Sequence, residues 1–189
     1  MHASDGDVTV HLLIGPMAAG KSKRLCEIVL KAQQVGDTVL VLKPVQDTRD
    51  GTSYVVSRTG SRVEAQPLQN YSNTLPPRVD MLCIDEGQFV VSQAIALVNR
   101  MCAANYTCRV VIACLSTTFD RKPWPGIELL VAIASDIEML HGARCTLCDG
   151  VAHWTARMTA STELIVCGGD AVYEPRCRKC HPKNFIEFA

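Results

Sequence analysis

Apolar positions along the chain fall into short runs separated by helical patterns. Residues 8–14 form a nearly continuous apolar run, read as a buried strand. After a turn, Leu25, Ile28, Val29 and Ala32 recur at helical spacing, with Lys23, Arg24, Glu27 and Lys31 off that face. Gly36 ends the helix. Residues 38–42 are a second apolar, β-branched run, and strand–helix–strand in so little chain predicts a parallel βαβ unit. The stretch 44–80 is polar and carries Gly51, Gly60, Pro67, Pro76 and Pro77, so it reads as loops with one short strand near 62–65. Further strands are predicted over 81–84, 109–115 and 136–140, and helices over 92–104 and 127–134. Strands that are apolar throughout imply a sheet covered on both faces. No internal repeat or low-complexity tract appears. Near His141 the composition turns rich in cysteine, glycine and arginine. The expected organisation is an α/β domain over residues 1–141 and a small C-terminal module over 142–189.

Composition narrows the function classes. With 48% hydrophobic and 20% charged residues, the chain reads as globular. A formal net charge of zero argues against a general nucleic-acid binder. No apolar run approaches a membrane span, so no membrane partner is expected. Residues 1–7 are short, polar and acidic, unlike a signal or transit peptide, and a cytoplasmic location is expected.

The first strand runs into Gly15-Pro16-Met17-Ala18-Ala19-Gly20-Lys21-Ser22, and a helical pattern follows. Strand, Gly-x4-Gly-Lys-Ser and helix together are a phosphate-binding loop. Backbone N–H groups form an anion nest, and the helix N-terminus adds positive potential. Lys21 is expected on the outer phosphates, and the Ser22 hydroxyl on Mg²⁺. The loop therefore predicts a nucleoside triphosphate without naming the acceptor. The strand over 81–84 ends in Asp85-Glu86. Ligands of open α/β sheets lie beyond the carboxyl ends of the strands, which puts this pair on the same crevice. One carboxylate can serve the metal while the other takes a proton from an attacking hydroxyl.

Ten cysteines require an account. Cys83 and Cys114 lie in strand-like runs and read as small hydrophobes. Cys26, Cys102, Cys108 and Cys167 show no paired spacing. The other four form Cys145-x-x-Cys148 and Cys177-x-x-Cys180, with residues 149–176 between them. Two such pairs predict a tetrahedral thiolate site for structural Zn²⁺ with a long loop pinned between. His181 is a competing ligand, but Cys180 keeps the pair spacing. Arg176, Arg178 and Lys179 read as a solvated face.

In this order, GPMAAGKS at 15–22, KPVQDTR at 43–49, DEGQF at 85–89, TFDRKPW at 118–124, the two cysteine pairs and GGDAVYEPRC at 168–177 resemble the type II thymidine kinases of cellular organisms and large DNA viruses. The resemblance spans residues 10–180. It implies a RecA-like phosphate-loop sheet flanked by helices, with a C-terminal zinc-binding lasso domain. The implied reaction passes the γ-phosphate of ATP to the 5′-hydroxyl of thymidine, and of deoxyuridine, giving dTMP for pyrimidine salvage. Glu86 would be the general base and Asp85 would hold Mg²⁺ through water. Asp47, Thr48 and Arg49 match the element near the phosphates, and Gln88 belongs to the same nucleotide-binding edge. Phe89, Phe119 and Trp124 match aromatic positions around the base, and Met17, Leu115 and Thr155 match its apolar and methyl-facing lining. Leu164, Ile165, Val166, Cys167 and Gly168 match the lasso that holds the pyrimidine through main-chain hydrogen bonds. Tyr173 matches a sugar-facing phenol. A homotetramer and feedback by dTTP follow from the same resemblance. Three positions depart from it: Ser116-Thr117 for Asp-Gly, Ala18-Ala19 for a bulkier pair, and Trp124 for Phe.

Two other classes compete. A GTPase would carry Asn-Lys-x-Asp, which does not occur here, and a helicase-like engine would need a longer chain and a basic tract. A non-catalytic zinc-ribbon module would leave Lys21, Ser22, Asp85 and Glu86 without purpose.

Overall fold

The structure is a computed structural model and describes residues 7–47, 51, 53–161, 163–166 and 171–182. Its centre is a six-stranded parallel sheet in the order β5–β2–β6–β7–β1–β8. These strands are β1 (Val8–Gly15), β2 (Val39–Lys43), β5 (Gln66–Pro67), β6 (Met81–Ile84), β7 (Cys108–Leu115) and β8 (Asp136–Met139). Three helices cover it: α1 (Lys21–Gln34), α2 (Val91–Ala103) and α3 (Ile127–Ile133).

Successive strand residues point to opposite faces, and here both faces are buried. From β1, Val10, Leu12 and Ile14 join a cluster with Ala94, Leu97, Val98 and Met101 of α2 and Leu130 of α3. Leu13, between them, joins Val41, Cys83, Val111 and Ala113 against Leu25, Cys26, Val29 and Ala32 of α1. This two-sided covering is why the strands read as continuous apolar runs. The thiols of Cys83 and Cys114 lie in this core, and burial pushes both up, Cys114 to about 12. They act as hydrophobes, as expected.

The polar stretch 44–80 holds more structure than the sequence predicts. The strand expected near 62–65 is β4 (Arg62–Glu64), and it pairs antiparallel with β3 (Tyr54–Val56) outside the main sheet. Three-residue strands with one buried position each leave little pattern to read. In the C-terminal module, β9 (Trp154–Arg157) and β10 (Tyr173–Arg176) form a second hairpin that the sequence also leaves unread.

The module packs on the phosphate loop. Ala19 of the loop shares a small cluster with Ala143, Cys145 and Ala152, flanked by Cys177 and Cys180. Contact is close enough that a Cβ at Gly142 would stand 2.7 Å from the Ala19 carbonyl oxygen. Among the described residues no helix is long and apolar enough to cross a membrane.

Candidate active site

The carboxyl ends of β1, β6 and β7 converge on one edge. At β1 the chain turns into α1 through Ala18 at φ 61° and Gly20 at φ 92°. The left-handed conformation at Gly20 comes without the strain a side chain would add. Lys21 is buried and folds back, donating from Nζ to the carbonyls of Pro16 at 2.7 Å and Gly15 at 3.2 Å. The Ser22 hydroxyl donates to Asp85 at the end of β6, 3.0 Å to Oδ2. The two predicted metal-handling residues are thus in contact.

Asp85 is buried, and desolvation pushes its carboxyl up to about 7, with the charge of neighbouring Glu86 adding to the effect. The Ser22 bond, the Glu86 backbone N–H and the charge of Lys21 pull the other way and lose. A buried carboxylate beside a hydroxyl is a hard-oxygen donor pair that a divalent cation satisfies, so Ser22 and Asp85 fit Mg²⁺. Without a cation, the folded chain keeps this proton between 3.8 and about 7, where the unfolded chain has lost it. Apo-protein stability should therefore fall as pH rises across that window. Thermal melting of Asp85→Asn should lack this component. Identical pH slopes in the two proteins would refute the assignment.

Glu86 is half-buried, with φ 50° and ψ 39° in the left-handed region. This kink sets Glu86 apart from the extended backbone of β6. Gln88 then holds it. The Gln88 side-chain oxygen accepts from the Leu115 N–H at 3.0 Å, so its amide nitrogen faces Glu86 and donates to Oε2. The Gln88 carbonyl in turn accepts from the Trp124 indole at 2.9 Å. Trp124 is buried in the core and meets Phe89 edge-on at 5.6 Å. The structure gives Gln88 and Trp124 contacts that fix Glu86 and Phe89, which the motif alone does not reveal.

Asp47 is buried and paired with Lys43 Nζ at 3.1 Å, and Lys43 also donates to the carbonyls of Gly51 and Tyr54. Lys43 opens the quoted motif, and sequence reasoning passed over its contact with the predicted site residue Asp47. Its cation ties β2 to the loop that follows. Thr48 and Arg49 lie outside the described residues.

Of the residues predicted to surround the base, Met17 and Thr155 meet where the module packs on the loop. Thr155 on β9 is buried, and its hydroxyl accepts the Met17 N–H at 2.9 Å. The resemblance puts Met17 and Thr155 in one lining, and this bond brings the two residues together. The two segments are 138 residues apart in the chain yet hydrogen-bonded. Two residues on, at the same face of β9, Arg157 reaches the predicted lasso. The Tyr173 hydroxyl accepts from the Val166 N–H at 3.1 Å and from Arg157 at 2.8 Å. Phe119 and Leu115 are half-buried, while Leu164 and Ile165 are exposed. Cys167 and Gly168 lie outside the described residues. The departures Ser116 and Thr117 line a cleft of ≈ 430 Å³ with Pro16, His141, Trp154 and Arg178.

The four paired cysteines come together, with all Sγ atoms within 4.8 Å of one another. Cys148 and Cys177 are 3.6 Å apart at sulfur. Four thiolates at tetrahedral zinc distance stand about 3.8 Å apart, so this cluster could hold zinc. Burial pushes the Cys145 thiol up, but the N–H groups of Cys177, Leu147 and Cys148 outweigh it and bring it down to about 6, while the neighbouring sulfurs of Cys148 and Cys177 push Cys180 up to about 12. Such N–H groups favour the thiolate that a metal needs. His181 is not in the cluster. It is buried, with Nε2 3.3 Å from the Thr155 carbonyl oxygen. Arg176 is not on a solvated face either. It is 4% exposed and pairs with Glu174 at 2.6 Å, because the hairpin turns it inward.

Comparison with known proteins adds the decisive observation. The family model described as thymidine kinase matches residues 8–181. The chain belongs to the thymidine kinase family. A thymidine kinase of Bacteroides fragilis is 30% identical over 180 residues, covering 94% of this chain and 89% of that protein. The thymidine kinase of Myxoma virus strain Lausanne is 33% identical over 174 residues, covering 91% and 95%. One from Bacteroides thetaiotaomicron is 29% identical over 174 residues, covering 91% and 86%. The family match covers both the phosphate loop and the cysteine cluster, so the contacts between them lie inside the matched region.

Proposed function

We propose that this chain transfers the γ-phosphoryl group of ATP to the 5′-hydroxyl of thymidine, giving dTMP, and that it accepts deoxyuridine as well. The observation that carries the reading is one sheet edge. There Ser22 of the phosphate loop bonds Asp85, Glu86 follows it, and Thr155 of the cysteine module bonds the loop backbone.

Each side chain has a role in that reaction. Lys21 exchanges its two loop carbonyls for the outer phosphate oxygens of ATP. Ser22 and Asp85 would hold Mg²⁺. When bound, that ion would neutralise charge on the β- and γ-phosphates. Glu86, aimed by Gln88, takes the proton of the attacking hydroxyl. Phe89, Phe119, Met17, Leu115, Thr155 and the lasso surround the base, and Tyr173 faces the sugar. Asp47, Thr48 and Arg49 serve the phosphate side. Cys145, Cys148, Cys177 and Cys180 would hold a structural zinc ion, which leaves no open position for substrate when all four ligate. Residues 142–189 act as the zinc-binding lasso domain. On the family resemblance, we extend the reading to a cytoplasmic homotetramer inhibited by dTTP.

The test is release of ADP from ATP-Mg²⁺ with no nucleic acid added, across thymidine, deoxyuridine, deoxycytidine and deoxyguanosine. Thymidine should give the highest kcat/KM and deoxyguanosine none. ADP release that ignores the nucleoside would instead favour a phosphate-loop ATPase.

A further inference from the structure

Arg157 is 92% buried, yet it is surrounded by the parts of the pocket that must close around the base. Its Nη1 donates to the carbonyls of Ser161, at 3.0 Å, and Glu163. Its Nη2 donates to the Leu164 carbonyl at 2.9 Å and to the Tyr173 hydroxyl at 2.8 Å. The guanidinium carbon stands 3.7 Å from the centre of the Phe119 ring and 5.2 Å from that of Tyr173. One planar cation therefore touches the start of the lasso, the aromatic wall and the phenol at once.

We propose that Arg157 is the positioning residue of the thymidine pocket, fixing the lasso backbone, the Phe119 ring and the direction of the Tyr173 O–H. The inference rests on the thymidine kinase reading above. Three physical facts support it. First, a segment that recognises a base through main-chain groups needs a backbone already held in place. Leu164 and Ile165 are exposed and contribute little packing for that. Three carbonyls of residues 161–164 instead share one guanidinium, whose rigid fork loses little freedom per bond. Second, a cation 3.7 Å over the centre of the Phe119 ring fixes the orientation of a ring that the reading places beside the base. Third, Tyr173 accepts from both Arg157 and the Val166 N–H. Two accepted bonds occupy its oxygen and direct its own proton away from the lasso, toward the sugar.

The bonds are directional, so charge alone does not reproduce them. Arg157→Lys offers a single point of donation in place of the fork. The experiment compares wild-type enzyme with Arg157→Lys, Arg157→Gln and Tyr173→Phe. Steady-state kinetics are run for thymidine and ATP, with zinc content and thermal melting measured on the same preparations. Both arginine variants are expected to raise KM for thymidine about 10- to 100-fold, as loss of several charge-assisted bonds would. KM for ATP should stay within about threefold, and kcat should fall less than kcat/KM for thymidine. Tyr173→Phe should raise KM alone, and should add little on top of Arg157→Gln, because its hydroxyl is no longer aimed. Folded, zinc-loaded Arg157→Gln with unchanged KM for thymidine would overturn the proposal. Equal loss toward thymidine and ATP, or a fall in active fraction at constant KM, would reduce Arg157 to a general structural role and also overturn it. If Arg157→Gln does not fold, Arg157→Lys decides the matter by the same criteria. Wild-type enzyme inactive on thymidine would fail the underlying reading instead, a result separate from any variant.

Discussion

Glu86→Gln is expected to lower kcat for thymidine phosphorylation by roughly 10²–10⁴-fold, with KM for thymidine and ATP changed little. The substitution keeps the shape of the side chain and removes its capacity to take a proton. Its site is set by backbone as much as by charge. The backbone at Glu86 is left-handed, with φ 50°, and Gln88 fixes one of its oxygens. Asp85 accepts from Ser22 on the loop. In the proposed reaction the two adjacent carboxylates divide between proton transfer, at Glu86, and metal handling, at Asp85. Gln88→Ala should reproduce part of the loss, since the Leu115 N–H then anchors nothing that reaches Glu86. Steady-state kinetics with varied Mg²⁺ check this. Full kcat with weakened Mg²⁺ dependence in Glu86→Gln would exchange the roles of the two residues.

The residues that sequence reasoning reaches most readily are those whose chemistry is local. Gly15 through Ser22 and Asp85-Glu86 are contiguous, and their meaning comes from the strand before and the turn after. The main strands were legible for a related reason. Covering on both faces removes polar positions, and the apolar run that results is visible without any structure. The hairpin β9–β10 was not legible. Trp154-Thr155-Ala156-Arg157 has two small or polar positions and an arginine, and its place is set by the cysteine cluster and the phosphate loop. Gln88, Lys43, Arg157 and His181 were missed or under-read because each acts through a partner far along the chain or through backbone carbonyls. Arg157 follows Thr155 by two residues, a spacing that puts both on one face once β9 is known to be a strand. No spacing or periodicity reveals that Thr155 meets Met17.

That last contact governs the effect of metal removal. Cys177→Ser, or chelation, is expected to abolish thymidine phosphorylation and to weaken both substrates, thymidine by about 100-fold or more and ATP by about tenfold. Where the module meets the loop, its apolar packing among the described residues is slight. Its buried apolar cluster is Ala19, Ala143, Cys145 and Ala152, and small side chains bury little area. Losing a thiolate ligand should free the segment that carries His181, whose ring lies on the Thr155 carbonyl. Thr155 then loses the register that lets its hydroxyl accept the Met17 N–H. Thymidine loses its pocket directly. ATP loses a fixed loop backbone, which is a smaller cost because β1 and α1 still flank the loop. Thr155→Val separates the two routes. It keeps all four cysteines and removes only the acceptor for Met17, so it should retain zinc and weaken ATP by a few fold. Both affinities, metal content and the melting of the main sheet should be measured on the same preparations. Unchanged ATP affinity in zinc-free protein, with thymidine affinity lost, would mean that the loop holds its shape without the module. Retained thymidine affinity after complete zinc loss would show that the pocket does not depend on the cysteine cluster.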